Sequence, residues 1–359
     1  MPKNYTYDDA GVNRKQRVES KKMLKTLHET YKHSGFTGVM HLPYGNIFSI
    51  GDNTFLDLVI EGVGTKVLIA QLAEKYDTIG IDAVAMAVND VIRSGAKPLA
   101  IADNIHAQAS EPYLVNEWLK GIIHGAHESE CPVTGGETGD VAEIIKGLTE
   151  KAGFDMVVSS VGKVERQQII TGKDIKPSDP IIGLASSGVH SNGISLVRKI
   201  LFEQWGGKYK PDDVPEGLER EIALEVLEPT KIYVKPLLKL THEVKVKAAV
   251  HITGDAFTKF NNLIKYSPGI GFQFTNFKPQ PIFDLIQKTA IDLDYNITDE
   301  EMFKTFNMGW GFGIIVDKLD AKKAISILEQ DSQAERIGEV TNKEGVVEIK
   351  TPNKRFVLS

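Results

Sequence analysis

Two segments hold residue types suited to handling phosphate. In Glu61-Gly62-Val63-Gly64-Thr65-Lys66 an apolar run empties into small residues that let a ligand approach the backbone, and Thr65 and Lys66 add a hydroxyl and an ammonium. The spacing is not that of a P-loop, and Val67 stands where a dinucleotide fingerprint needs its third glycine. A plain strand-to-helix turn reads the same way. In Ala185-Ser186-Ser187-Gly188-Val189-His190-Ser191-Asn192-Gly193 a Ser/Gly turn carries a histidine and an asparagine just ahead of a helix, where backbone N–H groups and the helix dipole favour an anion.

Asp82, Asn89, Asp90, Asp103 and Glu137 supply the hard oxygen atoms that Mg²⁺ takes when it bridges ATP phosphates. Asp82 also reads as a helix N-cap, and Asp90 as a solvated helix position. Asp103 closes the apolar run Leu99-Ala100-Ile101, where a carboxylate needs a partner. Glu137 lies in Thr134-Gly135-Gly136-Glu137-Thr138-Gly139, a stretch that either meets a ligand or is a Gly-rich turn. His251 ends Ala248-Ala249-Val250 and precedes Ile252-Thr253-Gly254; a lone strand-end histidine is also a common structural residue. Neither a His-x-x-x-His pair nor a Ser/His/Asp signature stands out, which disfavours zinc hydrolysis and acyl-enzyme chemistry.

These residues need elements to position them. Phe55–Ile60, Pro98–Asp103 and Phe154–Val164 read as strands, and residues 81–94 and 111–129 as helices. The first helix has its apolar stripe at Ile81, Val84, Ala85, Val88 and Ile92. Residues 1–34 read as a solvated, partly basic helix, and residues 35–54, with several glycines and Pro43, as a loop. Thr171–Pro180 breaks the pattern with two prolines, a glycine and charges. Beyond it, strands are expected at Ile181–Ala185, Ala248–Ile252, Gly309–Val316 and Val346–Lys350, and helices at Ser195–Phe202 and Tyr233–Leu240. The fold class is α/β of the α+β type in two domains, residues 1–170 and 171–359, as a length of 359 suggests.

The net charge is −6, from 42 Lys+Arg against 48 Asp+Glu, so no global basic field points to nucleic acid. A single cysteine, Cys131, allows no intrachain disulfide and no Cys-based metal cage, which fits a reducing compartment. The polar start has no apolar h-region, and no apolar run reaches membrane-spanning length, so neither a signal peptide nor a membrane is expected and the cytoplasm is the default.

The motif set resembles the phosphoribosylformylglycinamidine cyclo-ligase (AIR synthetase) family along nearly the whole chain. It comprises Tyr7-Asp8-Asp9-Ala10-Gly11-Val12, Glu61–Lys66, Asp77–Asp82 with Val88-Asn89-Asp90, Gly135–Thr138, Ser186–Val197, Pro229–Val234, His251–Gly254 and Glu301–Gly309, in order. Three positions depart from the family pattern. Glu61 stands where Asp is usual. Gly254-Asp255-Ala256 stands in place of three glycines. Gly139-Asp140-Val141-Ala142-Glu143 replaces Ala-Glu-Met-Pro-Gly.

The resemblance implies a homodimer in which the N-terminal sheets of two subunits pack into a barrel. It also implies ATP-dependent closure of formylglycinamidine ribonucleotide to aminoimidazole ribonucleotide. On this basis Gly62, Gly64, Thr65, Lys66, Asn89, Gly135 and Gly136 are expected at ATP, and Glu61, Asp90 and Glu137 at Mg²⁺. Ser187, Asn192 and Thr253 are expected at the nucleotide substrate, and Asp103, His190 and His251 in catalysis. Among relatives, selenophosphate synthetase is disfavoured by the lack of an N-terminal Cys, and thiamine-monophosphate kinase by the Ser186–Gly193 and Thr305–Gly309 segments. A silent ATP-binding regulator is the alternative from another class.

Overall fold

The computed structural model describes residues 3–33 and 38–358. The chain enters with a two-residue strand β1 (Lys3–Asn4) and helix α1 (Arg14–Met23), which continues as tight turns over Leu24–His33. Six strands then build the first sheet: β2 (Val39–Leu42), β3 (Gly45–Gly51), β4 (Thr54–Gly62), β5 (Lys97–Ala107), β6 (Val133–Asp140) and β7 (Phe154–Glu165). Their order is β2-β3-β4-β7-β5-β6, antiparallel except for the parallel pair β5–β6.

Part of the segment expected to be a loop is therefore a hairpin. Pro43 and Tyr44 are only its turn, and Leu42 pairs with Gly45 across it. Within that segment, residues 35–37 lie outside the described residues. The Gly-rich stretch 134–139 is likewise not a turn but most of the edge strand β6.

Three helices of this half matter to the site: α2 (Val67–Leu72), α3 (Ile79–Ile92) and α4 (Pro112–Ser129). Helix α3 packs against β4, β5 and β7 on one side, α4 on another and the second half of the chain on a third. Every residue of it except Ile81 is buried. A helix buried all round must find partners for its polar side chains, because an unpaired buried carboxylate or amide is costly. The residues in question are Asp82, Asn89 and Asp90. Asp82 is not the N-cap of α3, a position held by Thr78.

The second sheet contains β8 (Pro180–Ala185), β9 (Val246–His251), β10 (Gly271–Phe274), β12 (Trp310–Val316), β13 (Ala334–Thr341), β14 (Val347–Lys350) and β15 (Arg355–Leu358). Its order is β15-β14-β10-β13-β8-β12-β9, and only β10–β14 is parallel. Strands β9 and β12 are buried throughout rather than on alternate residues; β12 is an unbroken apolar run, whereas β9 carries His251 and Lys247, the latter paired with buried Asp179 at 2.7 Å. Helix α5 (Ile194–Leu201) follows the Ser/Gly turn after β8. The start of the chain joins this second half: β1 pairs with β11 (Tyr295–Asn296), and Arg14 forks onto Glu301 at 2.8 and 3.0 Å. Among the described residues, no helix is long and apolar enough to cross a membrane.

Candidate active site

The buried polar groups of α3 bind the two halves together. Asp82 Oδ1 accepts from the backbone N–H of Thr230 at 2.8 Å, from its hydroxyl at 2.6 Å and from Ser191 at 3.0 Å. Its carboxylate also meets the Lys66 ammonium at 2.8 Å. Two turns on, Asn89 accepts from the N–H of Tyr233 and donates to the carbonyl of Lys231, at 2.8 and 2.9 Å. The segments 187–193 and 229–233 are thus held against α3 by side chains that would otherwise be orphaned in the core.

One position further along α3, Asp90 reaches the end of β9. Its Oδ1 lies 2.8 Å from His251 Nδ1, and its Oδ2 lies 2.7 Å from the Arg93 guanidinium. Burial alone would raise the Asp90 pKa, but Arg93 and His251 hold it well below the usual carboxylate range. Burial lowers the His251 pKa against the pull of Asp90, which keeps the ring neutral. A neutral ring that donates Nδ1–H to Asp90 leaves Nε2 as an acceptor. Glu61, at the end of β4, is pushed up to about 7, first by burial and then by the charge of Asp90. Lys259 caps this cluster, donating to the His251 carbonyl at 3.2 Å and contacting the Thr253 hydroxyl; burial brings it down to about 8.

His190 sits in the left-handed region at φ +59, an uncommon backbone state for a residue with a ring, and is fully buried. Its Nε2 accepts from the N–H of Ser187 at 3.1 Å, and burial holds its pKa well below normal. Asn192 Oδ1 accepts from the N–H of Gly254 at 2.8 Å, tying the two Gly-containing turns together. His190 Nδ1, His251 Nε2 and Asn192 Nδ2 are all buried without a partner. Such unpaired hydrogen-bonding capacity is uncommon in a core, and here three instances of it lie where the two halves meet. Beside them, Glu61, Asp90 and Arg93 line one side of a cavity of about 200 Å³, which Asp57, Tyr44 and Asn46 also border.

Sequence comparison matches a family model to each half of the chain. Residues 44–164 match the model of the AIR synthase related protein N-terminal domain, and residues 176–350 match that of the C-terminal domain. A phosphoribosylformylglycinamidine cyclo-ligase from Bacillus pumilus is 39% identical over 348 residues, covering 95% of this chain and 96% of the relative. The chain belongs to the phosphoribosylformylglycinamidine cyclo-ligase family. The enzyme of that name from Methanocaldococcus jannaschii is 38% identical, with 94% of this chain and 92% of the relative covered. Fold similarity extends further, to the hydrogenase maturation protein HypE solved in complex with ATP (TM-score 0.57, 16% identity, 97% and 95% covered).

The structure brings some expected family residues together and separates others. Glu61, Asp90 and His251 form one cluster; Ser187, His190, Asn192 and Thr253 border the same interdomain region. Gly62 and Gly64 shape the turn after β4, where Gly64 takes φ +67, a conformation that favours glycine. Thr65 lies 3.4 Å from the Ser195 hydroxyl of α5.

Lys66, expected at ATP phosphates, is instead fully buried on Asp82 and on the Glu228 carbonyl, where burial lowers its pKa despite that partner. Asp103 pairs in register with Val158, and Val158 with Glu61, so Asp103 stands two strands from Glu61 on the same face, about 10 Å away. Burial raises its pKa. Gly136 lies beside it because a Cβ there would come within 2.5 Å of Asp103 Oδ1. Gly135 and Glu137 flank Gly136 on the exposed strand β6. Glu137 therefore points to the opposite face of the sheet, three strands and roughly 14 Å from Glu61. It does not join Glu61 and Asp90 within one chain. Among the described residues, no group of three or more acidic, His or Cys side chains could hold a metal.

A Mg²⁺ carried mainly by phosphates needs only one or two carboxylates, and Glu61 with Asp90 fits that demand. Glu61 is desolvated, faces a second carboxylate and forms no ion pair among the described residues, so an added cation would relieve it. Two neighbours were missed in the sequence. Arg93 was detectable as the i+3 partner of Asp90 on α3, whereas Lys259, from another element, gave no local signal.

Proposed function

We propose that this protein converts formylglycinamidine ribonucleotide and ATP into aminoimidazole ribonucleotide, ADP and phosphate. The observation that carries the reading is 39% identity across 95% of the chain to a protein of that activity. The buried, partner-free nitrogens of His190, His251 and Asn192 support it.

An amide oxygen is a poor leaving group. Moving the γ-phosphoryl of ATP onto it breaks the bond to ADP and makes that oxygen leave as phosphate. The neighbouring amidine nitrogen then attacks the activated carbon, sheds a proton and closes the ring. Little covalent work falls to the protein, so orientation and charge placement dominate.

The turn from Gly62 to Thr65, with Asn89 and the Gly135-Gly136 strand as supports, faces ATP. Glu61 and Asp90 would hold Mg²⁺, which when bound neutralises phosphate charge. His251 Nε2, oriented by Asp90 through Nδ1, accepts the proton of the attacking nitrogen. His190 Nδ1 bonds the oxygen that is phosphorylated, while Ser187, Asn192 and Thr253 shape the substrate side and Asp103 orients the amidine. Lys66 acts by pinning α3 through Asp82 rather than by touching phosphate.

We read the chain as two domains meeting near residue 170 and as a cytoplasmic homodimer. The outer face of the first sheet exposes Leu58 at 65% and Ile60 at 70%, an apolar surface that a second copy would cover. In such a dimer Glu137 serves the neighbouring subunit's metal.

The test is to mix protein, ATP, Mg²⁺ and formylglycinamidine ribonucleotide, and to follow ADP and a diazotisable aminoimidazole. Equal amounts of both support the reading. ATP binding without either product removes it and favours a silent regulator.

A further inference from the structure

The charges already described leave the substrate's own phosphate without a counterion. Lys66 is taken by Asp82, Arg93 by Asp90, and Lys259 by the His251–Thr253 loop. A nucleotide monophosphate adds a dianion that none of these can neutralise without breaking a buried contact, and such contacts are costly to break.

Helix α1 supplies two further cations at the edge of the site, Arg17 and Lys21, the latter only in a long, exposed ion pair with Asp255. Its start is anchored by Arg14, which forks onto Glu301 and donates to Thr305 at 2.7 Å. Arg17 and Lys21 lie one turn apart and so share a face. Lys21 approaches Asp255 at 3.9 Å, directly after Gly254, whose N–H is held by Asn192. Arg17 stands within electrostatic reach of Tyr7, and Tyr7 hydrogen-bonds the Gly193 backbone. Both cations thus face the rim formed by Asn192-Gly193 and Gly254-Asp255. Arg17 forms no ion pair or side-chain hydrogen bond among the described residues, and the Asn192 Nδ2 at this rim is buried and unpartnered. No side chain caps the start of α5 there.

Helix α1 buries none of its own side chains, nor does Leu24–His33 behind it. A segment held by so few contacts can yield to admit a ligand and then settle on it.

We propose that Arg17 and Lys21 bind the non-reacting phosphate monoester of the nucleotide substrate, with Asn192 Nδ2 donating from the opposite side. The rest of the substrate reaches inward from there toward His190 and His251. This inference rests on the ring-closure reading for the identity of the substrate, but its ligand chemistry, a sugar phosphate, can be tested separately.

Calorimetry with ribose 5-phosphate, ribose and ATP addresses the full-length protein and an R17A/K21A variant. The expected result is that ribose 5-phosphate binds about tenfold to a hundredfold more weakly to the variant, as loss of charge-assisted bonds implies. ATP should bind both proteins equally, ribose should show no dependence on the two cations, and R17K/K21R should recover most of the affinity. Equal ribose 5-phosphate affinity in the two proteins overturns the proposal. So does a loss confined to ATP, which would assign these cations to the triphosphate. If the protein fails to close the ring yet shows the expected binding pattern, the activity reading falls and the phosphate site stands.

Discussion

Asp90 on α3 and His251 at the end of β9 meet at 2.8 Å across the junction of the two halves. The bond fixes which ring nitrogen carries hydrogen and leaves Nε2 open. Asp90→Asn keeps the shape but can present its amide to Nδ1 and favour the other tautomer. We expect kcat to fall by about a hundredfold or more, the scale of a lost general base, with KM for ATP changing less. Steady-state kinetics of this variant beside His251→Ala check the assignment; the two variants should be similarly impaired.

Lys66 and Asp82 are both fully buried and paired. Removing one partner strands the other. Lys66→Met should therefore lower the free energy of unfolding by about 3–5 kcal/mol, measured in urea. A variant with wild-type stability but a raised KM for ATP would return Lys66 to a direct phosphate role.

Asp57 faces the cavity beside Arg93, and burial pushes its pKa up to about 6 from 3.8. Between these values the folded state holds more protons than the unfolded state, so the Asp57 contribution to stability falls as pH rises through this range, and the full cost stands above about pH 6. Asp57→Asn removes that cost. The variant should gain about 1–3 kcal/mol at pH 7 and nothing near pH 4, as urea midpoints across pH will show.

Leu58 and Ile60 lie on the outer face of the first sheet, while Phe55 and Asp57 of the same strand are buried. Replacing both outer residues by Glu should turn a dimer into a monomer in sedimentation velocity, with activity lost alongside. A wild-type monomer that turns over would refute the dimer.

Much of α3 was legible because its apolar stripe repeats at helical spacing. What Asp82 and Asn89 do was not, since their partners lie 148 and 144 residues away in sequence. The Gly and Pro of the β2–β3 hairpin mimic a loop, although Leu42 and Ile47 turn into the core. Residue type groups Asp90 with the possible Mg²⁺ ligands, and the resemblance assigns it there. Its grip on His251 depends on how two sheets meet, which no local pattern encodes. Glu137 shows the same limit: its residue type suggests a ligand, but strand register sends it to the other face.

The most direct test of the ring-closure account is an oxygen-tracing experiment. Substrate labelled with ¹⁸O at the formyl amide is turned over with unlabelled ATP, and the inorganic phosphate is examined by mass. If the amide oxygen is phosphorylated before ring closure, each phosphate released carries one ¹⁸O. Unlabelled phosphate formed together with aminoimidazole ribonucleotide would show that the oxygen leaves by another route and would contradict the account.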